Sequence, residues 1–219
     1  LSTLFLIKEI EYLNTLKLNG GFYVIPLVNP DGVRLVLDGA NFLPNDVKER
    51  LIKINGGSEN FSLWKANANA VDLNVNFDAE WGKGASNVFQ PSSGNFVGYE
   101  PNSEPEVKNL IKFAESVNAY ASISWHTKGE VIYYGFYALT AAEIARDYAL
   151  AKKMSAVNNY AVVKTGASVG GFSDWIGLTQ HIPAFTIELG PNWAPHPLNE
   201  TFLNMVFEQN KNVPPVLLN

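Results

Sequence analysis

Glu188 follows Phe185-Thr186-Ile187, an aromatic and β-branched run that ends at Leu189-Gly190. His126 closes a comparable run, Ser124-Trp125, about sixty residues upstream. A carboxylate is costly to bury unless it is paired or lies beside a metal, so an acid in such a run points to a tuned catalytic group. An imidazole at a second strand end has the chemistry of a proton carrier or a metal ligand. Each also has a plainer reading. A histidine standing alone is more often a core residue capping a strand end. Glu188 could be a structural carboxylate paired with Lys65 or Arg34, because ion-pair networks perturb carboxylates as well. His181 and His196, the remaining histidines, flank the Glu188 run and are expected on loops.

The flanking pattern supplies the elements that would carry these groups. Ser2 to Leu18 reads as an amphipathic helix, capped by Ser2 or Thr3 and stopped at Asn19-Gly20-Gly21. Phe22 to Val28 reads as a strand ending in the turn signal Asn29-Pro30-Asp31-Gly32, and Ala70 to Leu73 as a second, short one. Ser103-Glu104-Pro105-Glu106 places proline early in a helix running to Ser116 and offers it a capping box. Tyr120 to Trp125 and Val131 to Tyr134 read as strands, Ala141 to Tyr160 as a long helix, Ala184 to Leu189 as a buried strand, and Leu198 to Gln209 as a closing helix. The Gly/Ser/Asn-rich tract from Ser86 to Asn95 reads as a surface loop.

This alternation predicts an α/β fold, a single domain over residues 1–219, with a mixed, mostly parallel sheet covered by helices on both faces. Sites in such sheets form beyond the carboxyl ends of strands, where His126 and Glu188 both lie. At 47% hydrophobic residues the 219-residue chain can bury one sizeable core. The net charge of −5 argues against a phosphate-binding surface, so nucleic acid is not an expected partner. With no cysteine, disulfides and thiolate ligands are excluded while the compartment stays open. No apolar stretch approaches membrane-spanning length, and the first residues carry no basic export signal, so neither a span nor an address is expected.

Six pieces in order carry a family resemblance over nearly the whole chain. They are Asn29-Pro30-Asp31-Gly32, Trp64 to Asn74, Tyr99 to Glu106, His126, Gly170-Gly171-Phe172-Ser173-Asp174-Trp175, and Phe185 to Gly190. Together the set resembles the zinc carboxypeptidase superfamily. The stretch His126 to Tyr134 looks most like the bacterial γ-D-glutamyl-L-diamino-acid peptidases, which cut peptidoglycan stem peptides in the cell wall. The resemblance implies a zinc-dependent hydrolase acting on a peptide. His126 would be a zinc ligand, Glu188 the general base and acid for the attacking water, and Lys65 the cation stabilising the oxyanion. Asn74 would hold a terminal carboxylate of the substrate, with Trp125 and Gly170 also at the substrate. Read without the resemblance, Lys65 is a solvated surface lysine, and Trp125, Trp175 and Trp193 pack the core or a pocket wall.

The departures from the family are specific. A His-x-x-Glu motif supplies two zinc ligands in the family, just before a helix that begins much like Leu1-Ser2-Thr3-Leu4, and no His-x-x-Glu occurs in this chain. Val75 stands where the family commonly has a carboxylate-binding arginine, and Gly166 or Ala167 where it has a mobile tyrosine. Two outcomes are therefore open. Either a longer natural protein supplies the strand and ligand loop, or the chain is a truncated relative that keeps the fold and binds peptides without turnover. An incomplete sheet edge would also favour association between chains.

Overall fold

The computed structural model describes residues 1–218. Seven α-helices and four strands follow in the order α1 (Ser2–Leu13), α2 (Pro30–Asp38), α3 (Asn45–Ile54), α4 (Pro105–Ser116), β1 (Ser122–Thr127), β2 (Val131–Tyr134), α5 (Ala141–Asn158), β3 (Ala161–Lys164), α6 (Phe172–Gln180), β4 (Ala184–Leu189) and α7 (Leu203–Asn210), among the described residues. Their contacts gather in two compact units, one of residues 1–27, 119–166 and 176–218, the other of residues 28–118 and 167–175.

The first unit is built on the sheet, in the order β1-β4-β2-β3. β1 runs parallel to β4 and β2 parallel to β3, while β2 and β4 are antiparallel, so the sheet is mixed and mostly parallel as the alternation predicts. Successive residues of a strand face opposite sides. Ile123, Trp125, Ile132, Phe185, Ile187 and Leu189 therefore share one face, where they pack with Leu150, Ala151 and Met154 of α5, Phe5 of α1 and Val206 and Phe207 of α7. The other face carries Ser124, His126, Thr186 and Glu188. There α6 approaches, its Gly177 close enough that a Cβ would lie 3.7 Å from Ala184. Helices thus lie on both faces. Long α5 is set by a capping box, Thr140 and Glu143 each bonding the other's backbone amide, and ends at Asn159 in the left-handed region.

The second unit has no strand among its described residues and packs around Leu35, Leu51, Phe61, Trp64 and Ala66. Asn29-Pro30-Asp31-Gly32, expected as a turn, starts α2 instead: Asn29 Oδ1 accepts from Gly32 N at 2.9 Å and Pro30 occupies the first helical position. The capping box expected at Ser103-Glu104 does not form. Glu104 is drawn inward, accepting from Asn67 Nδ2 at 2.7 Å, Asn69 Nδ2 at 2.8 Å and Ser103 Oγ at 2.7 Å.

Two expected strands are absent. Phe22 to Val28 joins no strand ladder among the described residues, and Tyr23 is 70% exposed; strand propensity realises itself only against a neighbouring strand. Ala70 to Leu73 is held in a loop by Asn67 Oδ1, which accepts from Asn69 N and Val71 N, and passes into a 3-10 turn at Leu73–Val75. Helix α1 stops at Leu13, short of Leu18, with Leu1 at its cap and no side-chain cap bond. β3 and α3 have no counterpart among the expected elements.

Candidate functional site

His126 and Glu188 are opposite one another in the parallel pairing of β1 and β4. Adjacent strands lie about 4.8 Å apart, and paired residues of parallel strands project to the same side, so the imidazole and the carboxylate rise next to each other from the polar face. Both are half-buried. Across the antiparallel side, Val131 pairs with Glu188, and Glu130 N donates to Glu188 O at 2.8 Å. The β1–β2 connection runs past this point, with Gly129 N bonded to Gly190 O at 2.9 Å and Lys128 Nζ to Asn192 O at 2.7 Å. The carboxylate therefore stands on backbone tied to both neighbouring strands.

Trp125, expected at the substrate, turns to the opposite, apolar face because it is one residue out of phase with His126. Its ring packs 4.7 Å from that of Phe5, so it supports the strand from behind. Trp193, expected in the core or a pocket wall, is 79% exposed on the loop after β4, edge-on to Phe202. His181 follows α6, its Nδ1 lying 2.7 Å from Glu143 Oε1, and His196 lies on the loop following Trp193. The Thr140 bonds, and then His181, hold the Glu143 carboxyl down at about 2.

Lys65, Asn74 and Gly170 belong to the second unit. Lys65 is exposed, but its backbone is pinned: its amide donates to Ser93 O at 2.8 Å and its carbonyl accepts from Asn29 Nδ2 at 3.2 Å. Asn74 is exposed at the head of the 3-10 turn, its amide bonded to Asp72 Oδ1 at 3.1 Å, while the other Asp72 oxygen accepts from Asn95 N at 2.9 Å. Asp72 thus fixes Asn74 from below, a role that depends on the fold of the loop and not on its spacing in the motif. Gly170 has φ +89° and passes so close to the turn that a Cβ would lie 3.1 Å from Val75 O. Only glycine fits there without strain. Phe77 N donates to Gly170 O at 3.0 Å, and Gly171 abuts Asn74, so Asn74 and Gly170 are brought together. Asp174, one position in the Gly170 to Trp175 motif, is buried beneath them and accepts from Gly171 N at 3.1 Å. Burial raises its carboxyl to about 6.

A peptidase zinc needs three protein ligands and an open position. Among the described residues no group of three or more histidine, aspartate or glutamate side chains is gathered in a way that could hold a metal ion. His126 is one donor, so these residues do not complete such a site by themselves. No helix among the described residues is long and apolar enough to cross a membrane.

Comparison with known proteins places this geometry in a family. Gamma-D-glutamyl-L-diamino acid endopeptidase 1 of Lysinibacillus sphaericus is 37% identical over 180 residues, 81% of this chain and 44% of that protein. An uncharacterized protein of Bacillus subtilis is 34% identical over 178 residues, 81% of this chain and 47% of its own length. The chain thus spans about half the length of the curated relatives it matches. In fold it is similar to bovine thrombin-activatable fibrinolysis inhibitor in complex with tick carboxypeptidase inhibitor, with a TM-score of 0.73 at 21% identity over 99% of this chain and 75% of that one. The murein-tripeptide amidase MpaA of Escherichia coli O157 gives 0.53 at 21% identity over 89% of this chain and 66% of that one. The zinc carboxypeptidase family model matches residues 10–212, and the chain belongs to that family.

Proposed function

We propose that this chain serves a zinc-dependent peptidase that hydrolyses an amide bond in peptidoglycan stem peptides, with Glu188 as general base and acid and His126 as a metal ligand. The observation that carries the reading is the pairing of His126 with Glu188 on the polar face of the sheet. The substrate class rests on the 37% identity to an endopeptidase named for γ-D-glutamyl-L-diamino acid bonds. A bound zinc would polarise the scissile carbonyl; completing its ligand set needs donors beyond the described residues. The half-buried Glu188 carboxylate would take a proton from the attacking water and return it to the leaving amine. Lys65 would contribute positive charge toward the oxyanion, without the fork of an arginine. Asn74 would offer its amide to a terminal carboxylate, and Gly170, packed against Val75, would shape the backbone beside it. On a γ-D-glutamyl-diamino acid peptide, Glu188→Gln in the natural gene product is expected to lower turnover by about 10²–10⁴-fold; undiminished turnover sinks the mechanism.

A second reading, a non-catalytic relative that binds peptides, is favoured by the lack of a three-donor cluster among the described residues. Zinc analysis separates the two. About one zinc per chain, with a melting temperature that drops on chelation, supports the peptidase, whereas absent zinc and indifference to chelator support the binder.

A further inference from the structure

We propose that Tyr160 is a positioning residue for Glu188, its buried phenol oxygen anchoring the end of β4 through the Gly190 amide. The proposal rests on the catalytic reading of Glu188 above. Tyr160 is 2% exposed, just after α5 and at the entrance of β3. The β4 ladder ends where Leu189 pairs with Thr127, so the next amide, Gly190 N–H, has lost its strand partner. It donates instead to Tyr160 Oη at 3.2 Å. The same oxygen accepts from Asn210 Nδ2 at 2.9 Å and gives its proton to Gln209 Oε1 at 3.4 Å. Asn210 Oδ1 accepts from Asn158 Nδ2 at 3.0 Å, and Asn158 Oδ1 accepts from Tyr160 N at 3.0 Å, closing a ring through Tyr160 itself.

Such a ring is an expensive way to fill a core. Asn158, Tyr160 and Asn210 are all buried, and buried polar groups add rigidity only when every partner is in place. Apolar side chains would fill the same space but leave the Gly190 amide orphaned. What the ring accomplishes is local: with Gly129 N on Gly190 O and Glu130 N on Glu188 O, the backbone on both sides of the Glu188–Gly190 segment is fixed. The Gly190 tie alone comes from a side chain, and it reaches β4 from the face opposite Glu188. A clamp of this kind matters for catalysis because a misplacement of about 1 Å at a reacting group can lower rate on the order of a hundredfold. Burial also pushes the phenol up from its ordinary range, which keeps the proton that it gives to Gln209.

Tyr160→Phe removes one oxygen and is the direct test, made in the natural gene product. Amide hydrogen exchange at Gly190 is expected to accelerate by about tenfold or more, while Ile132, Phe185 and Ile187 in the strand cores keep their protection. In protein with Glu188-dependent turnover, kcat is expected to fall by roughly ten- to a hundredfold with KM nearly unchanged. Leu150→Val, a change in the same apolar core that removes no hydrogen bond of the ring, is the control for lost stability and leaves kcat in place. Asn210→Ala keeps the phenol but takes its partner, so it should give the same pattern in weaker form and stands in if Tyr160→Phe does not fold. Unchanged Gly190 exchange, or a kcat loss no larger than that of Leu150→Val, overturns the proposal. Failure of the catalytic reading shows separately, as turnover that survives Glu188→Gln or as a Glu188-independent zero.

Discussion

Glu9 illustrates at the residue scale how one side chain can oppose its surroundings. It lies on α1 with 1% of its surface exposed, and neither carboxylate oxygen has a hydrogen-bond partner. Burial pushes its carboxyl up to about 8, only partly offset by Lys211. The proton is therefore held more tightly folded than unfolded. The stability this contributes is full below the ordinary glutamate value near 4.5 and is lost as pH rises toward 8. Glu9→Leu is expected to remove that loss and to stabilise the chain by about 1–3 kcal/mol at pH 8, the cost of an unsatisfied buried polar group. Denaturant unfolding at pH 5 and pH 8 measures it, and a variant that is no more stable at pH 8 would refute the assignment. No periodic pattern marks Glu9, because on a helix wheel a glutamate is read as solvent-facing. His126 and Glu188 were legible because each stands at the end of a strand-like run.

Among the elements, α5 carries the most complete local code. Thr140 Oγ1 accepts from Glu143 N at 3.3 Å, and Glu143 Oε2 accepts from Thr140 N at 2.8 Å, so two of the helix's orphan amides are satisfied by residues three apart. Thr140→Ala is expected to cost about 1 kcal/mol. For a chain of this size that corresponds to a fall of roughly 2–4 °C in melting temperature, readable by circular dichroism. A larger loss would mean that the His181–Glu143 pair fails with the box. The strands followed the sequence where a partner exists. β2 and β4 match their predicted bounds, whereas Phe22 to Val28 has the composition of a strand and no ladder. Asn29-Pro30-Asp31-Gly32 contains residues that serve turns and helix starts alike, and the choice fell to Asn29, which caps α2 with its oxygen and ties Lys65 and Ala66 with its nitrogen.

For the whole molecule, β1 pairs with β4 on one side only among the described residues, while Ile25 and Leu27, outside any strand, are exposed. Exposed apolar side chains seek partners. Concentration-dependent association is therefore expected for the 219-residue chain, and a monomeric elution profile at high concentration would count against it. The sequence by itself determined the α/β class, the strands that carry His126 and Glu188, and the family, because periodicity, caps and motif letters are written within a few consecutive residues. Only the tertiary structure decided which face each strand residue takes, which puts Trp125 behind the sheet and Glu188 beside His126. It alone paired Tyr160 with Gly190 and Asn158 with Asn210, across 30 and 52 residues. Such partners are chosen by the folded path of the backbone, which must satisfy every buried polar group at once, and no local pattern announces them.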